Sequence, residues 1–308
     1  MHLAVYLPFL FSAMFGTAAP ILARRLPPAL ATWLLGGGAL LAAASSATAL
    51  ALLGFTLVGQ NSLVADEGHW SDSALHRADP VATPVAVLAL VALSVLLVRV
   101  VAALARRLVA LRDAYRLAGA LPAAGRELVV IDGPDPQACA VPGRPGRIVI
   151  SRGLLRSLDA EQRRAVLAHE RTHLVHHHHV HHTVAHLAAA ANPLLARLPP
   201  AVALSTERWA DESAAARCSR GAVADALVRA ARRTGNSGHS STAVLAAATT
   251  ELAARVAALR VPPPRTTLWR VALLVGLLIA TAATVLEAAH DTERMFDLAQ
   301  AAYRATHS

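Results

Sequence analysis

The amino-acid sequence predicts a mostly α-helical integral membrane protein in which four transmembrane helices frame an α+β domain inserted between the third and the fourth. Three observations carry that reading: an apolar composition, four apolar runs of bilayer-spanning length, and a pair of β-rich runs followed by helical patterns between the last two spans. Of 308 residues, 55% are hydrophobic and only 16% charged, with a mean hydropathy of +0.45. An ordinary soluble domain carries about 25% charged residues, so a membrane protein is expected.

A helix needs about 20 apolar residues to cross the hydrocarbon core. The runs Leu3 to Ala23, Ala29 to Val58, Val81 to Val98 and Trp269 to Leu286 qualify. The first lacks the basic N-terminal end of a signal peptide and is followed by Arg24 and Arg25, so it reads as a retained helix. The expected division is therefore three spans within 1–104 with an outer loop at 59–80, a domain at 105–268, a fourth span at 269–286 and an outer tail at 287–308.

Charge sets the expected orientation. All 29 basic residues are arginines, against 20 acids, a net +9. Arg24 and Arg25 lie between spans one and two, Arg106, Arg107, Arg112 and Arg116 follow span three, and Arg260, Arg265 and Arg270 approach span four. Basic residues beside spans favour the cytoplasmic side. The loop with Asp66, Glu67, Asp72 and Asp79 and the tail with Glu287, Asp291, Glu293 and Asp297 are then outside. The expected localisation is a multi-pass cell-membrane protein with both termini outside and the domain in the cytoplasm. From Ala105 to Arg270 there are 23 arginines and 12 acids, a net +11 that exceeds the charge of the whole chain. The basic excess thus suits topology and contact with an anionic leaflet of the lipid bilayer, and no direct nucleic-acid binding is expected. Cys139 and Cys218 are too few for a disulfide framework and read as reduced, small core residues.

Within the inserted domain, ELVVID at Glu127 to Asp132 and RIVIS at Arg147 to Ser151 read as two strands separated by Gly- and Pro-rich turns. Asp159, with Gln162 three residues on, is a capping-box start for a helix whose apolar pattern continues through Leu174 and onward. Asn192-Pro193 and Pro199-Pro200 break the pattern, a second helix is expected from about Ser205 past Ala216, and a third over much of Ala222 to Leu259, with a loop at Gly235 to Ser241.

The first of these helices contains His169-Glu170-Arg171-Thr172-His173. Imidazoles at i and i+4 share one helical face and can both bind one Zn²⁺, while Glu170 can take the proton of a water activated at the metal. One zinc per chain is expected. A third ligand has two sources. The run His176, His177, His178, His179, His181, His182 and His186 offers His179 at metzincin spacing, but the glycine that such a turn requires is replaced by His176. Glu207 is the better candidate, because Glu207 and Asp211 form E-x-x-x-D, which sets one carboxylate for the metal and the other for a hydrogen bond from a ligand imidazole. The histidine run itself reads as a metal-loading tract, a pH-sensitive surface or, preferred here, a polar helix face near the membrane.

From Gln137 to Ala216, the segments ACAVPGRPGRIVISRGLL, LDAEQRRAVLAHERTHL, NPL and ERWADESA resemble the BlaR/MecR-type and the related HtpX/Ste24-type membrane gluzincin peptidases. The resemblance implies a zincin-like (gluzincin) metalloprotease domain with zinc on His169, His173 and Glu207, Glu170 as base and Asp211 behind the ligands. It also implies that Arg147, Ile148, Val149, Ile150 and Ser151 form an edge strand that pairs with an extended protein or peptide substrate. The outer tail is too short for the penicillin-binding sensor of the BlaR/MecR type, so β-lactam perception is not expected. The resulting expectation is a cytoplasmic-facing zinc endopeptidase that cleaves a repressor-like transcriptional regulator. Its alternatives are an HtpX-like quality-control protease for membrane proteins and a non-catalytic scaffold or sensor that keeps the zinc fold.

Overall fold

The computed structural model describes residues 4–79, 81–121, 127–134, 137–234, 242–266 and 268–307. Among these residues the chain is helical except for one small sheet. Each of the four apolar runs lies in a long helix: α1 (Leu7–Arg25), α2 (Pro28–Gly59), α5 (Thr83–Ala120) and α12 (Leu268–His307). Their length and composition suit membrane crossing. Two differ from the sequence expectation. α5 runs well past Val98, and α12 continues through the residues expected to form a short irregular tail, because neither stretch contains a proline or other strong breaker. The loop after α2 folds into α3 (Ser62–Gly68) and α4 (Asp72–Ala78), each capped by a side chain, Asn61 and Ser71 respectively. The end of α12 packs on this loop, with Leu75, Met295 and Ala299 buried together and Trp70 edge-on to Phe296. The two acidic segments therefore share one end of the helix bundle.

The sheet holds three strands among the described residues: β1 (Leu128–Ile131), β2 (Ala138–Val141) and β3 (Arg147–Ser151), in the order β1-β3-β2. β3 runs parallel to β1 and antiparallel to β2, and all five of its residues are buried. This corrects the expectation of an edge strand at Arg147, Ile148, Val149, Ile150 and Ser151. That run takes the central place, where all five residues are buried and both ladders are filled. The two outer strands are β1 and β2; the one beside Glu170 is β2, whose Ala-Cys-Ala-Val sequence gives little strand signal. Cys139 on β2 is exposed rather than a core residue, and Cys218 is partly buried.

After α6 (Arg152–Ser157), α7 (Ala160–Val175) opens with the expected capping box: Asp159 accepts from the Gln162 N–H, and Gln162 accepts from the Asp159 N–H. The helix does not run on through the histidines. It ends at His176, His177 takes φ 50°, ψ 45°, and α8 (His178–Ala191) starts afresh. α9 (Leu198–Ala215) starts seven residues before the expected Ser205, because Pro199-Pro200 occupy its first turn, where a missing N–H costs nothing, rather than interrupting a helix. The third expected helix is two, α10 (Arg220–Thr234) and α11 (Thr242–Leu259). The loop expected at 235–241 lies outside the described residues.

The domain between spans three and four shares its core with the membrane helices. Phe15, Ala19, Leu35 and Ala39 of α1 and α2 are buried against Ala185, Ala188, Leu198 and Val202 of α8 and α9. Polar side chains tie the same seam: Thr32 donates to Ser205 at 3.0 Å, Asn192 donates to Ser46 at 2.9 Å, and Arg208 donates to the Ala23 carbonyl. Buried polar groups remain stable only when paired, so these contacts fix the register of α9 against the bundle.

A non-glycine residue in the left-handed region costs about 1–2 kcal/mol, more for a β-branched side chain. His177 already bears part of that cost, so His177→Ile is expected to lower stability further, by about 1 kcal/mol for its β-branched side chain, and His177→Gly to raise it. Thermal melting of the purified variants in detergent checks both.

Candidate metal centre

α7 and α9 cross so that the residue pairs His169/His173 and Glu207/Asp211, each spaced one turn apart, face one another. The two histidine Nε2 atoms lie 3.1 Å apart, and Glu207 places Oε2 at 3.4 Å from His169 Nε2 and Oε1 at 3.4 Å from His173 Nε2. Among the described residues these three form the group of ligand atoms close enough to hold an ion. A tetrahedral zinc with bonds of about 2.0–2.1 Å holds its donor atoms about 3.3–3.4 Å apart. The two Nε2 atoms and the carboxylate oxygen nearest each of them are spaced close to that distance, and the donor set, two imidazoles and one carboxylate, is that of a zinc site.

Each ligand candidate has a partner behind it. Asp211, 2% exposed, lies 3.0 Å from His169 Nδ1 through Oδ1. A proton on that Nδ1 leaves the His169 Nε2 lone pair directed at the centre. His178, 1% exposed, has its Nδ1 2.9 Å from His173 Nδ1. With the proton on His173 Nδ1, the same logic frees His173 Nε2. Arg255 of α11 closes the arrangement: its Nε and Nη2 donate to the two Asp211 oxygens at 2.8 Å, and Nη1 lies 2.8 Å from Glu207 Oε2.

The electrostatics follow from this packing. Burial opposes charge on His169, but hydrogen bonds to Asp211 and Glu207 outweigh it and raise its pKa to about 9. His173 is lowered to about 4 by burial, against the pull of Glu207, and burial lowers His178 to about 3. Desolvation opposes charge on the half-buried Glu207, yet the His169 hydrogen bond and the Arg255 charge hold it well below the usual carboxylate range. Asp211 is buried and likewise lowered by its hydrogen bonds from Arg255 and His169. Glu170 goes the other way: burial raises it, His169 opposes that, Glu207 adds to it, and the Ala140 N–H partly offsets it by donating to the carboxylate. A buried carboxylate with a raised pKa suits a group that must both accept and return a proton.

Glu170 sits between two cavities that meet along β2. One, of about 500 Å³, is lined by His169, Glu170, Glu207 and Arg255 and walled by Val223, Ala226 and Leu227 of α10. The other, of about 410 Å³, lies on the side of His173, His178, His179 and His182. Ala138 and Cys139 border both. Partial desolvation and the Glu170 carboxylate push the Cys139 thiol up, which disfavours its thiolate form.

The expected residues His169, Glu170, His173, Glu207 and Asp211 are thus brought together, whereas Arg147 to Ser151 lie one strand behind the site edge. The histidine run is not a single polar face. His176 and His178 pack on the Trp209 ring at 4.3 and 5.0 Å, His181 is buried against Trp33 at 4.7 Å, and His182 meets Thr206 at 3.1 Å. His178 and Arg255 escaped the sequence reading. His178 is masked by its neighbours in the run. Arg255 stands 48 residues beyond Glu207 with no spacing rule to connect them.

Histidines at i and i+4 opposite a glutamate of a second helix, with an acid behind one histidine, are an arrangement suited to holding zinc in a metallopeptidase. The chain belongs to Peptidase family M48, which matches residues 105–307, two thirds of its length. No curated protein and no solved structure matches it.

Zinc must displace a proton from any ligand that holds one. Metal-free His169, with a pKa near 9, is protonated at about pH 7.5 and neutral above its pKa. Zinc loading is therefore expected to release close to one proton at about pH 7.5, with affinity rising as the pH climbs towards 9. Calorimetry in buffers of different ionisation enthalpy measures that proton; release of none contradicts the electrostatics described above.

Proposed function

We propose that the protein is a membrane-bound zinc endopeptidase in which His169, His173 and Glu207 hold the metal, Glu170 is the general base and Asp211 orients His169. The observation that carries this reading is the grouping of His169, His173 and Glu207, whose ligand atoms lie close enough to share one ion, with the partly buried Glu170 beside it. Bound zinc would supply Lewis-acid activation of a water and polarise the scissile carbonyl. Glu170 accepts the proton of the attacking water and returns it to the departing amine. The Asp211 carboxylate holds the His169 ring in place throughout. Arg255 keeps both carboxylates of α9 ionised and fixed, so that they stay available to metal and imidazole.

The substrate strand is proposed to add to β2. The ladder alternates, and the Ser151 N–H donates to the Gln137 carbonyl, so the backbone groups of Ala138 and Ala140 turn away from β3, the Ala140 N–H towards the Glu170 carboxylate and the Ala138 groups towards the neighbouring cavities. An extended peptide laid there passes Glu170 and the metal centre. The cavity walled by Val223, Ala226 and Leu227 then favours an apolar side chain beside the scissile bond.

The proposed orientation puts the domain in the cytoplasm, from the arginines beside the spans. The preferred substrate is a protein regulator such as a transcriptional repressor, cut at one site. A second reading, quality control of membrane proteins, draws support from the packing of α8 and α9 on α1 and α2, which holds the site beside the bundle.

Digestion of a proteome-derived peptide library by the purified protein, read by mass spectrometry, tests the activity. Glu170→Gln is expected to lower cleavage by about 10²–10⁴-fold while zinc stays bound, and Glu207→Ala to lose zinc as well. Equal cleavage by Glu170→Gln contradicts the assignment. If the wild type fails to cleave and Glu170→Gln leaves the cellular phenotype unchanged, the non-catalytic scaffold is favoured.

Ala138→Pro removes an outward N–H without touching the ladder to β3. It is expected to reduce kcat/KM about tenfold or more at unchanged zinc content, the loss of one backbone bond to substrate. Unchanged kinetics would remove β2 as the docking edge.

A further inference from the structure

Away from the metal centre, α5 and α8 enclose a cavity of about 540 Å³ lined by Arg99, Arg106, Arg107 and His186, with small alanines between them. The three arginines lie at i, i+7 and i+8 on one face of α5. α5 carries a single acid, Asp113, which lines no part of the cavity, and none of the three arginines is ion-paired among the described residues. Three guanidinium groups thus converge on a space that offers them no counter-charge.

The position of Arg99 makes this unusual. It directly follows the apolar run that ends at Val98 and is the only charge from Val85 to Ala105 of a helix long and apolar enough to cross a bilayer. At a rise of about 1.5 Å per residue it sits about 10 Å along the helix from Arg106, towards the hydrocarbon. A cation at that depth is expensive unless it is paired or reaches an interface. Around it, Val95, Leu97, Val98, Val101, Leu104 and Leu108 expose between 40% and 68% of their surface, an aliphatic skin beside a cationic hollow.

We propose that this cavity binds the phosphate of an anionic membrane lipid, the headgroup lying between Arg99 and the Arg106/Arg107 pair and the acyl chains along the exposed aliphatic face of α5. Guanidinium forks match phosphate oxygens in pairs, which the charge-poor alanine wall leaves them free to do. The surplus positive charge selects an anionic headgroup over a zwitterionic one carrying the same phosphate. The apolar flank selects a lipid over a free phosphate ion. Because α5 continues to Ala118, which is buried against Val129 and Val149 of the sheet, a bound lipid fastens the strand region to the bilayer surface.

The test is native mass spectrometry of the delipidated full chain in detergent, titrated with phosphatidylglycerol, phosphatidylcholine or inorganic phosphate. Phosphatidylglycerol is expected to be retained at least tenfold more strongly than phosphatidylcholine. The Arg99→Gln/Arg106→Gln/Arg107→Gln variant is expected to lose that preference, while Arg112→Gln/Arg116→Gln, which removes charge from the same helix outside the cavity, keeps it. Circular dichroism and melting without lipid verify the fold of each variant, and if the triple variant fails to fold, Arg99→Gln alone is expected to weaken retention at least threefold. Equal retention by wild type and the folded cavity variant overturns the proposal. So does equal loss in the Arg112/Arg116 control, which would indicate general charge attraction, and so does binding of inorganic phosphate without retention of the lipid.

Discussion

The structure depends on one constraint: a half-buried glutamate on α9 must stay ionised within 3.4 Å of two imidazoles. An isolated carboxylate at such a place would take up a proton, since burial penalises its charge. Here the cost is offset from two sides. Arg255 reaches across from α11 to bind both Glu207 and Asp211, and His169 shares its hydrogen bonds between the same two acids. Remove that network and the centre has no fixed negative charge to hold a divalent ion. Helices α7, α9 and α11, which the sequence places far apart, are bound into one unit by it.

The second determinant is the seam with the membrane helices. α9 presents Glu207 and Asp211 on one face and buries Leu198, Val202 and Arg208 among α1 and α2 on another. The small residues of the spans allow this close approach: a Cβ on Gly16 would overlap the Leu194 carbonyl, so α1 can meet the turn before α9 only as glycine. The position of the ligand glutamate is thereby set by the bundle, and the bundle and the domain form a common core rather than two separate bodies.

Much of this was legible in the sequence. Spans declare themselves because a bilayer demands a fixed apolar length, and each apolar run lies within a long helix. The capping box of Asp159 and Gln162 and the grouping of His169, Glu170, His173, Glu207 and Asp211 were legible because one-turn spacings fix which side chains share a face. Four features were not. β2 is four residues of alanine, cysteine and valine with little strand propensity, so only the folded sheet shows that Arg147 to Ser151, an edge by family resemblance, is flanked on both sides. The proline pair at 199–200 signals a helix start or a break with equal force, and only the seam with α1 and α2 decides. The left-handed turn at His177 goes against the local preference for glycine and is set by tertiary packing around Trp209. Arg255 depends on a long-range contact that no local pattern encodes.

The central claim is that two histidines and one glutamate, and no residue of the histidine run, hold a single zinc. Zinc X-ray absorption on the purified, metal-loaded full chain tests it most directly, because imidazole rings and carboxylates scatter distinguishably. The account predicts one zinc per chain with two imidazoles and oxygen donors in the remaining positions. A spectrum that requires three or more imidazoles, or that is unaffected by Glu207→Ala, would contradict it.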